Sequence, residues 1–310
     1  MEHLAVAKQA KNRSASMCTL RNKQLKRRTS MSKAPQSDLQ RALAARFSDA
    51  PSQVESTAQS DLLYSMAARG SCRAFTDKPI PSDWVRTISA IALSAPTKSD
   101  LQQCDIILLE SEDIQRRLAT LVSGQSWVAD APMIAVICGN NRRQRLLHEW
   151  HGVPFANDHL DAFFNATGDA AITLGAFVTA AEVLGLGCCP ISAVRNKAAA
   201  VSDLLDLPDH VFPFAGLAFG FPAQTPKISK RLPLQVTCHV DHYREVNLKE
   251  TIVQYDEERA TSQPYDKQRF PKKFADSERY SWSEDKVRQY SEPERADFGN
   301  YVRSCGFELN

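Results

Sequence analysis

No uninterrupted apolar run in this chain reaches the roughly 18 to 20 residues that a membrane-spanning helix needs, and no short apolar segment follows the basic N-terminus as a secretory signal requires. A cytoplasmic protein without a membrane partner is the expectation. The eight cysteines contain no C-x-x-C pair, and Cys188 and Cys189 sit side by side in an apolar stretch. That spacing indicates neither a disulfide framework nor a zinc site, and the thiols read as reduced, buried small hydrophobes. There is no Gly-x-Ser-x-Gly and no Walker sequence. Gly185-Leu186-Gly187 lacks the third glycine of a dinucleotide fingerprint and follows a helical run rather than a strand. His148-Glu149-Trp150-His151 has H-x-x-H rather than H-E-x-x-H spacing and no third ligand, so it reads as a helix-surface pair.

Acidic residues are missing from one end. Residues 1–36 hold nine Lys or Arg against Glu2 alone, a local charge of +8 within a total of +2, so the remaining chain carries about −6. The same stretch has no Phe, Tyr or Trp to stack on a base, and nucleic-acid binding is not expected of it. A basic, Ser-containing, acid-poor start also fits a transit peptide. The plainer expectation is that translation begins at Met17 or Met31 and that part of this tail is read from upstream.

The chain is long enough for a substantial core, and its hydrophobic fraction of 43% is ordinary for a globular protein. Hydrophobic periodicity predicts helices over 37–47 with Ser37 as N-cap, 60–68, 82–92 capped by Ser82, 112–122, 142–151 and 197–205. Buried strands are expected over 106–110, 133–138, 188–191 and 211–220, with a last strand over 234–240. The most informative helix is predicted from Asp169 to Leu184, because it leaves almost no polar face. A helix apolar all round is covered on every side, as a central core helix or one at a subunit interface. Elements intermix rather than alternate, so α+β is favoured over a doubly wound sheet. Three regions are expected: the tail 1–36, a main domain 37–245, and a polar extension 246–310 that wraps the domain or a partner subunit.

Arg69, Ser71 and Arg73 alternate, so in an extended segment they share one face with Cα atoms of i and i+2 roughly 6.5 Å apart. Two guanidinium groups and a hydroxyl on one side suit a phosphate dianion, although two surface arginines flanking a serine would look the same. Other blocks add weight: Ala95-Pro96-Thr97 leading to Asp100, Gln102 and Gln103; Leu184-Gly185-Leu186-Gly187 followed by Pro190, Ile191, Arg195 and Asn196; and Gly220-Phe221-Pro222-Ala223 followed by Arg231-Leu232-Pro233. With the Arg-x-Ser-x-Arg-x-Phe segment ending at Phe75, these four blocks over residues 60–245 resemble, in order, the nitroreductase and flavin reductase family. Gln125 and the stretch from Trp282 to Phe307 resemble the larger NADPH-linked members with a C-terminal extension.

The resemblance implies a three-layer α+β fold, a mixed and mainly antiparallel sheet flanked by helices, with a long central interface helix. It implies a homodimer with FMN at the interface and NADPH or NADH as electron donor. Carried over by position, Arg69, Gly70, Ser71, Arg73, Ser229 and Arg231 lie at the FMN phosphate and ribityl chain. Thr97, Asp100, Gln102 and Gln125 lie beside the isoalloxazine ring, and Ile191, Ser192 and Ala193 present backbone amides to its N5 side. Arg295 is a candidate for substrate or nicotinamide contact, and Lys272, Lys273 and Arg279 for the NADPH 2′-phosphate. The chain departs from the larger reductases at Gly70, where they have Arg in His-Arg-Ser; at Ser229, where they have Lys; and at Ser192 and Ala193, where they have glycines. The activity implied is ping-pong transfer from NAD(P)H through FMN to a nitroaromatic, quinone, free flavin or related small acceptor. The alternative is a flavin-binding protein of the same fold with little turnover. Because flavin carries the electronic work, no catalytic triad or metal is expected.

Overall fold

The computed structural model describes residues 36–50, 60–122 and 125–310. The basic tail, apart from Gln36, lies outside the described residues, as do the Ser37 side chain and the Ser123-Gly124 pair before Gln125. Helix α1 spans Gln36–Arg46, α2 Ser60–Ala68 and α3 Ser82–Leu93. Strand β1 is Cys104–Leu109, α4 is Glu112–Leu121, β2 is Met133–Asn140 and α5 is Arg142–Trp150. Then follow α6 (Leu160–Val183), β3 (Gly187–Ile191), α7 (Ala198–Leu204) and β4 (Val211–Gly220). The remainder is helical: α8 (Leu234–Thr237), α9 (Leu248–Ser262), α10 (Trp282–Gln289) and α11 (Phe298–Ser304).

The four strands run in the order β1-β2-β4-β3, each antiparallel to its neighbour, and Ser71 adds one parallel bridge to Cys188 at the outer edge of β3. β2 and β4 are apolar on both faces because helices cover both. On one face α6 and α3 pack Phe177, Ala181 and Ile88 against Ile137, Leu217 and Phe219, with the Phe177 and Phe219 rings edge-on at 5.1 Å. On the other, Leu118 and Val122 at the end of α4 and Val201 of α7 meet Ile134, Val136 and Ala218. Each fully buried large side chain contributes about 1.5–3 kcal/mol. The fold is therefore α+β in three layers, as expected.

Three local expectations change. The central helix begins at Leu160, nine residues before Asp169, because Asp161, Asn165 and Gly168 dilute an apolar pattern that continues through buried Ala162 and Ala166. Ser82 is the first residue of α3 rather than its cap, a place taken by Pro81. The segment 234–240 is not a strand: it opens with the short helix α8, whose first two amides, Leu234 N and Gln235 N, donate to Asp49 at 2.7 and 2.9 Å. A carboxylate at a helix N-terminus satisfies amides that lack an intrahelical partner, and it arrives here from 185 residues away.

The C-terminal extension packs on this same chain. Val302 and Phe307 are buried with Phe212 and Ala162, and Phe307 lies edge-on to both Phe212 and Phe163 at 5.6 Å. Tyr301 and Ser202 share a hydroxyl hydrogen bond of 2.7 Å, and the His210 ring lies 2.9 Å from the Gly306 carbonyl.

Candidate functional site

The 69–75 segment leaves α2 and is laid along the edge of β3. Cys72 N donates to Cys188 O at 2.9 Å, and Phe75 bridges Pro222. Gly187 has no side chain because Cys72 fills the space; a Cβ there would lie 2.6 Å from Cys72 Sγ. Gly70 is required for a like reason, since an added Cβ would drive into the Lys227 carbonyl and come within 2.9 Å of Pro226 Cβ. The glycine at this position thus lets the Pro226-Lys227 stretch lie directly against residue 70.

The Arg69 guanidinium is bound by Glu182, with Nε 3.2 Å from both carboxylate oxygens and Nη2 3.1 Å from Oε1. Burial pushes the Glu182 carboxyl above its ordinary value, against the opposing pull of Arg69 and Arg46. Arg46, itself 8% exposed, donates from Nε to Ala67 O at 3.0 Å, from Nη1 to Ser229 O at 3.4 Å and from Nη2 to Arg69 O, while its own carbonyl accepts from Arg231 N at 2.7 Å. Burial first, then Arg231 and Arg69, hold the Arg46 pKa below the ordinary arginine value. Arg69 is thus paired with Glu182, Arg46 lies close enough to act on both, and exposed Arg231 adds a positive charge beside Arg46. The positive excess is the donor chemistry of a phosphate dianion, and the residues present fit that group.

Arg73 and Ser71 are exposed beside this cluster, and the Arg73 guanidinium carbon lies 5.8 Å from the centre of the Trp127 ring. Trp127 belongs to a single 3-10 turn, Ser126–Val128, that begins directly after Gln125. That stacking brings the Gln125 turn to the arginine segment.

The 97–103 loop is built elsewhere. Asp169, 2% exposed, accepts from Lys98 N at 2.9 Å and Gln103 N at 3.0 Å, and Gln102 Nε2 donates to Asp100 Oδ1 at 3.2 Å. Ser99, Asp100 and Gln102 adopt left-handed φ values of 50, 57 and 53°, a conformation costly for non-glycine residues and sustained here by the buried carboxylate. Asp169 and Glu182 are thirteen residues apart on α6, about 20 Å at helical rise. Within one chain, then, Thr97, Asp100 and Gln102 are not brought to the Arg69 cluster but belong to the loop held at the middle of the same helix.

Ile191 and Ala193 are buried at the turn after β3, whereas Ser192 is exposed. Arg295, from the C-terminal extension, donates to Asn196 Oδ1 at 2.7 Å and Ser192 Oγ at 3.3 Å. Arg195 of the same turn is held below its ordinary pKa by burial and by Arg295, and it donates to Phe214 O at 2.5 Å. Lys273 is paired with Glu292 at 2.5 Å. Arg279 lines a separate cavity of about 720 Å³ with Lys267, Glu257 and Tyr280, and Lys272 is exposed. These three basic residues do not join Arg295.

The sequence reading missed Arg46, Asp169 and Glu182 as site residues. For the two acids a signal existed: a carboxylate on an otherwise apolar helix needs a buried partner. For Arg46 there was none, because a helix-terminal arginine is usually solvated. His148 is bound to the Val153 and Pro154 carbonyls, and no cluster of metal-ligating side chains occurs among the described residues. Burial pushes the Cys72, Cys104, Cys188 and Cys189 thiols up, Cys104 to about 11, so these four are poor nucleophiles, whereas Cys238 is exposed rather than buried.

Residues 66–221 match the nitroreductase family and residues 229–310 match the nitroreductase family, C-terminal domain. The chain is 30% identical over 254 residues to an FMN reductase [NAD(P)H] of Bacillus subtilis, covering 80% of this chain and 98% of that protein. It is 34% identical over 191 residues to an oxygen-insensitive NADPH nitroreductase of Salmonella typhimurium, covering 61% and 77%. Its fold superposes on the NADPH:FMN oxidoreductase from Vibrio harveyi complexed with NAD+ with a TM-score of 0.70 at 26% identity, over 79% of this chain and 98% of that one. The chain belongs to the nitroreductase family.

Proposed function

We propose that this chain is an FMN-dependent NAD(P)H oxidoreductase that reduces a small acceptor such as a nitroaromatic, a quinone or free flavin by a ping-pong route. The observation that carries the reading is the meeting of the 69–73 and 229–231 segments at Arg46, with Arg69 paired to Glu182. When bound, FMN would supply the redox chemistry between nicotinamide and acceptor. The chain's own work is electrostatic and steric. Arg69, Ser71, Arg73, Ser229 and Arg231 hold the phosphate end. Ile191, Ser192 and Ala193 offer amides to the reactive edge of the ring, where preorganised donors stabilise developing negative charge. Arg295 faces the substrate or nicotinamide, and Lys272, Lys273 and Arg279, which do not join it, are assigned to the NADPH 2′-phosphate.

The separation along α6 supports a homodimer. One copy's 97–103 loop completes the ring site next to the other copy's arginine cluster, which fits the expectation that Thr97, Asp100, Gln102 and Gln125 lie beside the isoalloxazine. The exposed side of α6 suits a second copy: Phe164 is 68% exposed, Leu160 and Ile172 are exposed, and a Cβ added at Gly168 or Gly175 would meet nothing within 4 Å. Leu62, Leu63, Met66, Ile91 and Leu93 extend the same apolar surface onto α2 and α3. Contiguous exposed apolar residues of this kind mark association sites.

The test is a visible spectrum of the purified protein followed by anaerobic titration with NADH and NADPH. Yellow protein whose flavin band bleaches with either nucleotide and recovers on adding a nitrofuran or menadione is expected. Colourless protein that binds no added FMN, or bound flavin that neither nucleotide bleaches, is incompatible with this function.

A further inference from the structure

The two segments that carry the arginines of the phosphate site, 69–73 and 229–231, lie more than 150 residues apart in the chain, and their relative placement fixes the spacing of the cations. One side chain spans the gap. Arg46 reaches the Ala67 and Arg69 carbonyls with two of its nitrogens and the Ser229 carbonyl with the third, and its own carbonyl receives the Arg231 amide. Three residues on, Asp49 binds the Leu234 and Gln235 amides. The helix that supplies Arg46, α1, lies outside both ranges that match the nitroreductase family, 66–221 and 229–310.

The energetics favour a purpose linked to an anion. Burial of the Arg46 guanidinium is costly, and the nearby positive charges of Arg231 and Arg69 add to that cost while Glu182 offsets part of it. Each Arg46 nitrogen is spent on a carbonyl, so its hydrogen bonds hold backbone rather than ligand, while its charge remains in the cluster. A planar fork donating in three directions is suited to such bracing, and a lysine ammonium on its flexible stem is not.

We propose that Arg46 is a positioning residue for the cofactor phosphate: it locks the 69–73 and 229–231 segments at the spacing a phosphate dianion requires, so that α1 sets the preference for FMN over riboflavin. This rests on the reading of those segments as the FMN phosphate site. Because riboflavin lacks the phosphate, its affinity is insensitive to that spacing.

The test uses the full-length protein, stripped of flavin, with dissociation constants for FMN and for riboflavin measured by flavin fluorescence. Arg46→Lys and Asp49→Asn are compared with wild type, and thermal unfolding is followed in parallel. Arg46→Lys is expected to weaken FMN about tenfold, the equivalent of one charge-assisted hydrogen bond, while riboflavin changes less than about twofold. Asp49→Asn, which keeps its side chain's shape, is expected to act in the same direction by about threefold and serves as the test if Arg46→Lys does not fold. Equal losses for both flavins, or no loss for FMN in a folded variant, overturn the proposal. Wild-type protein that binds neither flavin instead overturns the functional reading beneath it.

Discussion

The Nε of Arg295 donates to Asn196 Oδ1 at 2.7 Å, joining the C-terminal extension to the turn that follows the edge strand β3. Arg295 adopts a left-handed φ of 58°, and its Nη2 also reaches Ser192 Oγ at 3.3 Å. The extension is thus tied to the turn proposed to face the flavin N5, and it holds a cation there. Replacing Arg295 by Ala is expected to lower kcat/KM for NAD(P)H about tenfold, about 1.4 kcal/mol, with FMN affinity unchanged within about twofold. Steady-state kinetics on FMN-saturated enzyme check this; an unchanged kcat/KM removes Arg295 from the donor site.

Gly70→Ala tests the close approach of the 226–231 segment. The new methyl meets the Lys227 carbonyl, which belongs to backbone and has little room to yield. Overpacking of this kind costs about 1–3 kcal/mol. Urea unfolding is expected to show a midpoint shift of that size, and FMN binding should weaken in step, because Arg69 and Arg231 are pushed apart.

Asp169→Asn tests the tether of the 97–103 loop. The amide keeps one acceptor but turns an NH₂ toward one of the two backbone donors, Lys98 N or Gln103 N. The loss of one charge-assisted bond at a buried site is about 1.5–3 kcal/mol. Limited proteolysis is expected to cut the variant within 97–103 faster than wild type, and turnover should fall even at saturating FMN. Equal cleavage rates would show that the loop holds its left-handed residues without the carboxylate.

Phe164→Glu combined with Ile172→Glu places two charges on the exposed apolar side of α6. Size-exclusion chromatography with light scattering is expected to show two chain masses for wild type and one for the variant. If the flavin site spans two copies, bound flavin disappears together with the dimer. A monomeric variant that retains flavin at wild-type affinity would place the whole site in one chain.

His210 supplies a pH dependence. Burial, and then the nearby Arg145, lower its pKa from the ordinary 6.5, while the Gly306 carbonyl and two aspartates act in the opposite direction. A base depressed in the fold contributes stability that is present above its unfolded value and is lost as pH falls through the folded value. His210 has a φ of +64°, which asparagine tolerates better than most residues. Between about pH 8 and about pH 5, the melting temperature of wild type is therefore expected to fall further than that of His210→Asn. Parallel falls would mean that another group governs the acid limb.

Much of the molecule was legible in the order of its residues, because local rules were enough. The apolar runs of β2 and β4 declared strands covered on both faces, and the endpoints predicted for 60–68 and 211–220 coincide with α2 and β4. The Arg-x-Ser-x-Arg pattern marked one wall of an anion site, because alternation in an extended segment puts those side chains on one side. What sequence order does not encode is which distant group meets which. That Asp49 turns a β-like run at 234–240 into a helical turn, that Glu182 takes Arg69, and that Arg46 braces both arginine segments follow from contacts 23 to 186 residues apart. Such contacts depend on burial, where unpaired charges and amides are costly, and only the folded chain decides which of them share an interior.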